Sequence, residues 1–289
     1  IMFFALVLGI ASTLVPRETV APFLGFFEAF YEITVRIING IMGLAPYAVA
    51  LLVFSSIASF GTDLLLALLW YIGVVLGGLL IHGVVVYSLS VRFLSGLSPI
   101  DFFGKVKTTA ITAFSTSSSN ATLPTALRES REKLGVPQEI NSFVLTIGAT
   151  ANQNGTALYE GITIIFLAQL AGVDLSLAMQ MTVAYLAILG GIGTAGVPGG
   201  SIPYIIVVLA SLGVDPALIA IILGVDRLLD MCRTAVNVVG DITAATIYQA
   251  ARHPKSFVAL DGADHLLTDR ADAAFAASMI RAWVERYLD

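Results

Sequence analysis

Between Leu134 and Asp226 the chain carries no lysine and no arginine, a run that no water-facing surface of that length tolerates. It is followed by DRLLDMCRTAVNVVGD, Asp226 to Asp241, which sets three carboxylates, two guanidiniums and an amide into an otherwise lipid-compatible helix. A charge at the centre of a bilayer costs between ~2.5 and more than ~10 kcal/mol depending on the reference state, so such residues persist only where they face a bundle interior or a wet cavity. At 100° per residue, Asp226, Asp230, Arg233, Asn237 and Asp241 fall at about 0, 40, 340, 20 and 60°, a single stripe roughly 80° wide. Such a stripe can be a self-neutralising network, Asp230 with Arg233 and Asp226 with Arg227, that joins helices. The surplus points further: three acids against two bases, plus an aligned Asn, leave oxygen ligands for a cation and a guanidinium for an anion.

Composition agrees with a lipid setting. The chain is 57% hydrophobic and 12% charged with mean hydropathy +0.89, against about 25% charged residues in ordinary globular proteins. An all-α polytopic membrane protein is expected, with the lipid bilayer as its environment and, lacking a basic patch, no nucleic-acid partner. The single cysteine, Cys232, excludes a disulfide within the chain and reads as a small packing residue. The chain opens at Ile1 inside an apolar run, with no start methionine and no signal-peptide pattern, so the gene product is expected to begin earlier.

In order, Ile1 to Val15 is long enough for half a crossing and ends at Pro16-Arg17-Glu18. Ala21 to Arg36 is an amphipathic approach, and Ile37 to Ala58 an apolar span with Pro46 as an expected kink. Leu64 to Val91 is the cleanest transmembrane helix, and its His82 reads as a packed neutral histidine. Ser98-Pro99 starts a helix that reaches Ser115 to Pro124, STSSSNATLP, with basic residues on both flanks. The short apolar reach on each side makes this a re-entrant hairpin, entered from the cytoplasmic face by the positive-inside rule. Asn141 to Leu170 is interrupted by Asn152-Gln153-Asn154-Gly155-Thr156, the mark of a broken helix whose freed carbonyls suit a small monovalent cation. Leu175 to Leu209 carries GGIGTAGVPGG at its tip, Gly190 to Gly200, without a basic flank, and is expected to enter from outside. Two interrupted segments in corresponding places, one from each side, signal an inverted repeat with a binding site near the midplane, as in secondary transporters.

These four motifs together resemble the dicarboxylate/amino acid:cation (sodium/proton) symporter family, the glutamate and aspartate transporters. STSSSNATLP is similar to its first hairpin tip, NQNGT to its broken-helix motif NMDGT, GIGTAGVPG to its second tip and DMCRTAVNVVGD to its last helix. The resemblance covers Ile1 to about Ala251 and implies a glutamate-transporter-like fold assembled as a homotrimer. It implies partial scaffold and trimerisation helices over 1–60 and a transport domain over 61–251. By the same likeness Asp230 receives the substrate's amino group, and Arg233 clamps a side-chain carboxylate, bidentate geometry being what selects one. Thr156, Thr234, Asn237, Ser118, Ser119 and the tip around Val197 are implied as further substrate contacts. Asn237, Asp241 and the carbonyls of Gly148 and Asn152 resemble one sodium site, and Thr150, Ile192 and Thr194 a second.

Three departures bear on this. Asn154 stands where the family motif has Asp, and Gln153 where it has Met, so a third sodium site at Asn154 loses its charge. The places of the family's second arginine hold Ser117 and Met231. The family's first three helices are absent, which leaves a non-functional fragment as one possibility.

From Arg252 onward 11 of 38 residues are charged, against 24 of the preceding 251, so the tail over 252–289 is expected to be a soluble segment, on the cytoplasmic side. Pro254 onward reads as a strand and turn, and Asp269 to Leu288 as an amphipathic helix. This resembles the C-terminal end of α/β-hydrolases, with His265 in the place of their histidine. No G-x-S-x-G elbow occurs in the 289 residues, so no triad is completed and no enzyme activity is expected.

The function expected is secondary active symport of acidic amino acids, aspartate or glutamate, coupled to sodium by alternating access in the inner or plasma membrane. A proton-coupled C4-dicarboxylate symporter is the alternative. Asp230 weighs against it, because an unpaired carboxylate facing a substrate without an amine repels it. Sodium is the only small inorganic partner implied, and no organic cofactor is.

Overall fold

The computed structural model describes residues 8–9, 11–12, 15–42, 44, 47, 50–51, 54, 62–194, 196–251 and 270–287. Among them there is no strand. The chain divides into two compact units, Ile1–Tyr47 with Val258–Asp289, and Ala48–Phe257.

In the first unit, α1 (Arg17–Met42) covers the expected amphipathic approach. Its exposed Phe26 and Phe30 rings stack at 6.2 Å. The tail contributes α10 (Arg270–Tyr287), where the amphipathic helix was expected. The strand and His265 expected between them lie outside the described residues, as do Pro46 and most of the apolar spans 1–15 and 43–61.

The second unit holds the polar motifs. Helix α2 (Thr62–Leu80) continues through wider π-turns at Ile81–Val86 and Val91–Ser95, with the α-turn Tyr87–Ser90 between. Leu64–Ser95 is the one helix among the described residues long and apolar enough to cross a membrane. It outruns the Val91 boundary read from the sequence and stops at Gly96, whose φ of 76° suits a residue without a Cβ.

Then follow α3 (Pro99–Thr116), α4 (Ser119–Leu134), α5 (Gln138–Ala151), α6 (Asn154–Leu170), α7 (Leu177–Gly193), α8 (Ile202–Ser211), a 3-10 turn (Pro216–Ile219) and α9 (Ala220–Ala250). Pro99 opens α3, where its missing N–H costs no helical bond. Ser118 caps α4 by accepting from the Ala121 amide, and Ser176 caps α7 by accepting from Met179. Between α3 and α4 only Ser117 and Ser118 leave the helical path, and Ser117 is the one non-glycine at positive φ, 51°, among the described residues. The break between α5 and α6 is narrower than the motif that announced it. Asn152 and Gln153 leave the helix, while Asn154, Gly155 and Thr156 already form the first turn of α6.

Helix α9, 31 residues long, packs against α2 to α6 and threads two apolar clusters. Its first half joins Tyr71 and Val75 of α2, Tyr159 and Ile164 of α6, Val183 of α7 and Ile205 of α8. Its second half joins Phe102 and Val106 of α3, Ala126 of α4 and Leu145 of α5. Buried polar ties fix the pairs in register. Glu129 of α4 accepts from both the amide and the hydroxyl of Thr109 on α3, and Asn141 of α5 donates to the Leu127 carbonyl of α4 at 2.6 Å.

Candidate substrate and cation site

Asp226, Asp230, Arg233, Asn237 and Asp241 are all buried, none more than 8% exposed. The stripe read from the helical spacing therefore faces the interior along its whole length. Arg233 donates from Nε to Asp230 Oδ1 at 3.0 Å and from Nη1 to Asp226 Oδ1 at 3.3 Å, and its Nη2 lies 2.9 Å from Asp230 Oδ1 in an ion pair. Its guanidinium lies 4.2 Å from the centre of the Tyr159 ring, and Tyr159 Oη donates to Asp226 Oδ1 at 2.6 Å. The expected pairing of Asp226 with Arg227 is corrected here. Neighbours one residue apart on a helix diverge by 100° and do not meet, and Arg227 Nη1 finds no partner among the described residues.

A guanidinium has five N–H donors. The two hydrogen bonds to the aspartates leave three N–H donors on the terminal nitrogens, the kind of donor set that a carboxylate accepts bidentately. Asp230 Oδ2 accepts from the Gly199 amide at 3.1 Å and keeps a further lone pair for a donor such as an ammonium group.

One turn on, Asn237 ties α9 to the break. Its Oδ1 accepts from the Gly155 and Thr156 amides at 2.6 and 3.3 Å, and its Nδ2 donates to Gln153 Oε1 and Thr156 Oγ1 at 2.7 and 2.9 Å. The freed amides at the start of α6 are thus satisfied by a side chain from another helix, the requirement for a helix end held away from water.

One more turn brings Asp241 against α5. Its Oδ1 accepts from Asn152 Nδ2 at 2.7 Å, and a Cβ added at Gly148 would stand 2.5 Å from that oxygen. Gly148, Asn152 and Asp241 are therefore close together, with the Asn152 side-chain amide rather than its carbonyl meeting Asp241, and with the Asn237 side chain turned to the break. The second set is less gathered. Thr194 donates to Glu160 Oε1 and the Gly190 carbonyl at 3.1 and 2.8 Å, Thr150 and Ile192 are exposed, and no hydrogen bond joins the three among the described residues. Asn154 donates to Tyr87 Oη at 3.1 Å, and Tyr87 in turn donates to the Val236 carbonyl at 3.0 Å. His82 Nε2 lies 3.5 Å from Asn154 Nδ2.

The two tips meet. Ser118 Oγ donates to the Gly196 carbonyl at 2.8 Å, and a narrow cavity beneath is lined by Ser117, Ser119, Thr156, Val197, Ser201, Asp230, Arg233 and Thr234 among others. Ser119, Thr156, Val197 and Thr234 thus join Asp230 and Arg233 around one space. A wider cleft of about 660 Å³ lies beside the break, walled mainly by apolar residues of α6 and α7 with His82, Asn152 and Asn154 at its polar end.

Three residues of this region carried little signal along the chain. Glu160, 0% exposed with Oε2 unpartnered among the described residues, could have been flagged as an ionisable group inside an apolar span. Tyr159 and Ser201 look like ordinary helix and loop residues, and only contact shows their place.

A bundle of interrupted helices that holds a buried ion pair, an amide-satisfied helix break and two touching tips has the makings of a membrane carrier. The chain belongs to the sodium:dicarboxylate symporter family, whose model matches residues 1–251. It is similar to the proton/sodium-glutamate symport protein of Bacillus subtilis (strain 168), 36% identical over 226 residues, covering 78% of this chain and 52% of that one. It is also similar to the corresponding protein of Bacillus caldotenax, 35% over 247 residues, 86% and 58%. Excitatory amino acid transporter 3 of Mus musculus is 37% identical over 217 residues, 75% and 42%. The chain spans about half the length of these relatives. They and the family are membrane transporters, not enzymes.

Proposed function

We propose that the chain forms the substrate-binding core of a secondary active symporter for aspartate or glutamate, coupled to sodium and working by alternating access. The observation that carries this reading is the placement of Arg233 and Asp230 in one buried cavity. A guanidinium fork and a carboxylate acceptor side by side match the distal carboxylate and the ammonium of an acidic amino acid. A C4-dicarboxylate would leave Asp230 facing an anion, and proton-coupled dicarboxylate symport stands as the second reading. The relatives' printed functions, proton/sodium-glutamate symport and excitatory amino acid transport, support the first.

In this reading α3 with α4 and α7 with α8 are re-entrant hairpins from opposite membrane faces, related as inverted repeats. Residues 1–60 belong to a scaffold that trimerises, 61–251 to the moving domain, and the tail lies in the cytoplasm. Gly148, Asn152 and Asp241 hold one co-transported sodium with Asn237. Thr150, Ile192 and Thr194 form a second sodium site when the tips rearrange.

The test is labelled-substrate uptake into liposomes with sodium and pH gradients imposed separately, comparing native protein with Arg233→Thr. Charge-assisted hydrogen bonds contribute ~1.5–3 kcal/mol each, so the variant should bind aspartate at least about tenfold more weakly and turn toward neutral amino acids. Unchanged aspartate affinity would refute the assignment.

A further inference from the structure

Arg227 follows Asp226 on α9 and pairs with no carboxylate among the described residues. It is half-buried, and its Nη1 is shut away from water without a partner. A guanidinium nitrogen left in that state is costly, and it is retained here where a neutral side chain would pack without the cost. Asp230, three residues on, is a neighbour on the helix surface, and the Arg227 charge acts on it. Thr234, seven residues on, is about 20° away around the helix. Asp230 and Thr234 both line the narrow cavity, so Arg227 flanks it without lining it. At this end of α9, Asp226 and Asp230 bring two negative charges and Arg233 one positive charge, and Arg227 brings the sum to zero.

We propose that Arg227 is a specificity-determining residue that sets how much negative charge the cavity tolerates on its ligand, acting through the field of its guanidinium and not by contact. This rests on the functional reading above. With Arg227 in place the fixed charges around the ligand balance, so dicarboxylic amino acids bind and dicarboxylates without an amine bind as weaker ligands. Without it one negative charge is left over, which an ammonium group on the ligand offsets and a bare dicarboxylate meets unrelieved.

The experiment measures aspartate and succinate affinity by competition on the full-length protein in liposomes at fixed sodium. Arg227→Gln should weaken succinate by about tenfold and aspartate by about threefold or less, while Arg227→Lys, which keeps the charge, stays within about twofold of native for both. Arg227→Met, uncharged and of similar length, should repeat the Arg227→Gln pattern and carries the comparison if that variant does not fold. A merely structural arginine predicts equal falls for both ligands and no rescue by lysine, and that result overturns the proposal, as do unchanged affinities in the uncharged variants. If succinate binds the native protein too weakly to measure, a fall in aspartate affinity that Arg227→Lys restores supports the proposal, and an unchanged one overturns it. Native protein that binds succinate but no amino acid sinks the amino-acid reading alone. Arg227 is then decided on succinate against its singly charged monomethyl ester, equal falls again overturning its role. Native protein that binds neither acid overturns both.

Discussion

Ser118 Oγ donates to the carbonyl of Gly196 at 2.8 Å, a bond that joins two turns 78 residues apart in the chain. The same oxygen accepts from the Ala121 amide and so caps α4. One side chain therefore sets the start of one helix and the position of the facing tip. Ser118→Ala removes both, at about 1 kcal/mol each. Opening of the 194–201 tip should become roughly fivefold more frequent. The check is the rate at which a thiol reagent modifies Val197→Cys in a Cys232→Ala background, with and without Ser118→Ala. Equal rates would show that this bond does not hold the tip.

Gly148 and Asp241 are in contact because position 148 has no Cβ. An alanine there would bring its Cβ to 2.5 Å from Asp241 Oδ1 and 2.7 Å from Cγ, which a small side-chain swing cannot relieve. Gly148→Ala should destabilise the protein by about 1–3 kcal/mol and weaken the rise in Tm that sodium produces. Gly104→Ala is the comparison, since no heavy atom lies within 4 Å of its Cβ position. It should stabilise α3 by up to about 1 kcal/mol and leave the sodium effect intact. A full sodium effect in Gly148→Ala would remove Asp241 from the cation site.

Asp230 holds Arg233 through one oxygen and the Gly199 amide through the other. Asp230→Asn keeps an oxygen for one of these bonds but loses the charge that attracts an ammonium group. Competition assays should show aspartate affinity falling at least about tenfold, with succinate affected several-fold less. Equal falls for both ligands would make Asp230 a structural partner of Arg233 and no more.

Asn154 sits between Tyr87 Oη and His82. An amide offers a cation an oxygen but no charge to offset its lost hydration, so the native site at this position should bind sodium weakly. Asn154→Asp should restore a cation and steepen the dependence of substrate affinity on sodium concentration. In that variant Tyr87 must divide its one proton between the carboxylate and the Val236 carbonyl, so Tyr87→Phe should lessen the gain. Parallel double-logarithmic plots for native and Asn154→Asp proteins would show that the amide costs the site no cation.

The interruptions were legible along the chain. Clusters of glycine, proline and small polar residues inside an apolar run mark places where a helix breaks readily, so the Ser117 turn, the Asn152-Gln153 break and the tip after α7 could be placed from local chemistry, although Gly190 to Gly193, read as part of that tip, continue α7. The inward stripe on α9 was legible too, because 100° per residue is a property of the backbone and not of its neighbours. Partner choice was not. Asp226 lies beside Arg227 in sequence but pairs with Arg233 in space, and Asn237, aligned with Asp241, spends its amide on Gly155, Thr156 and Gln153. Ser201 passes for a cap until Pro203 and the cavity leave its hydroxyl unspent. Each of these depends on which groups other helices bring within about 3 Å, a distance that periodicity along one helix does not encode.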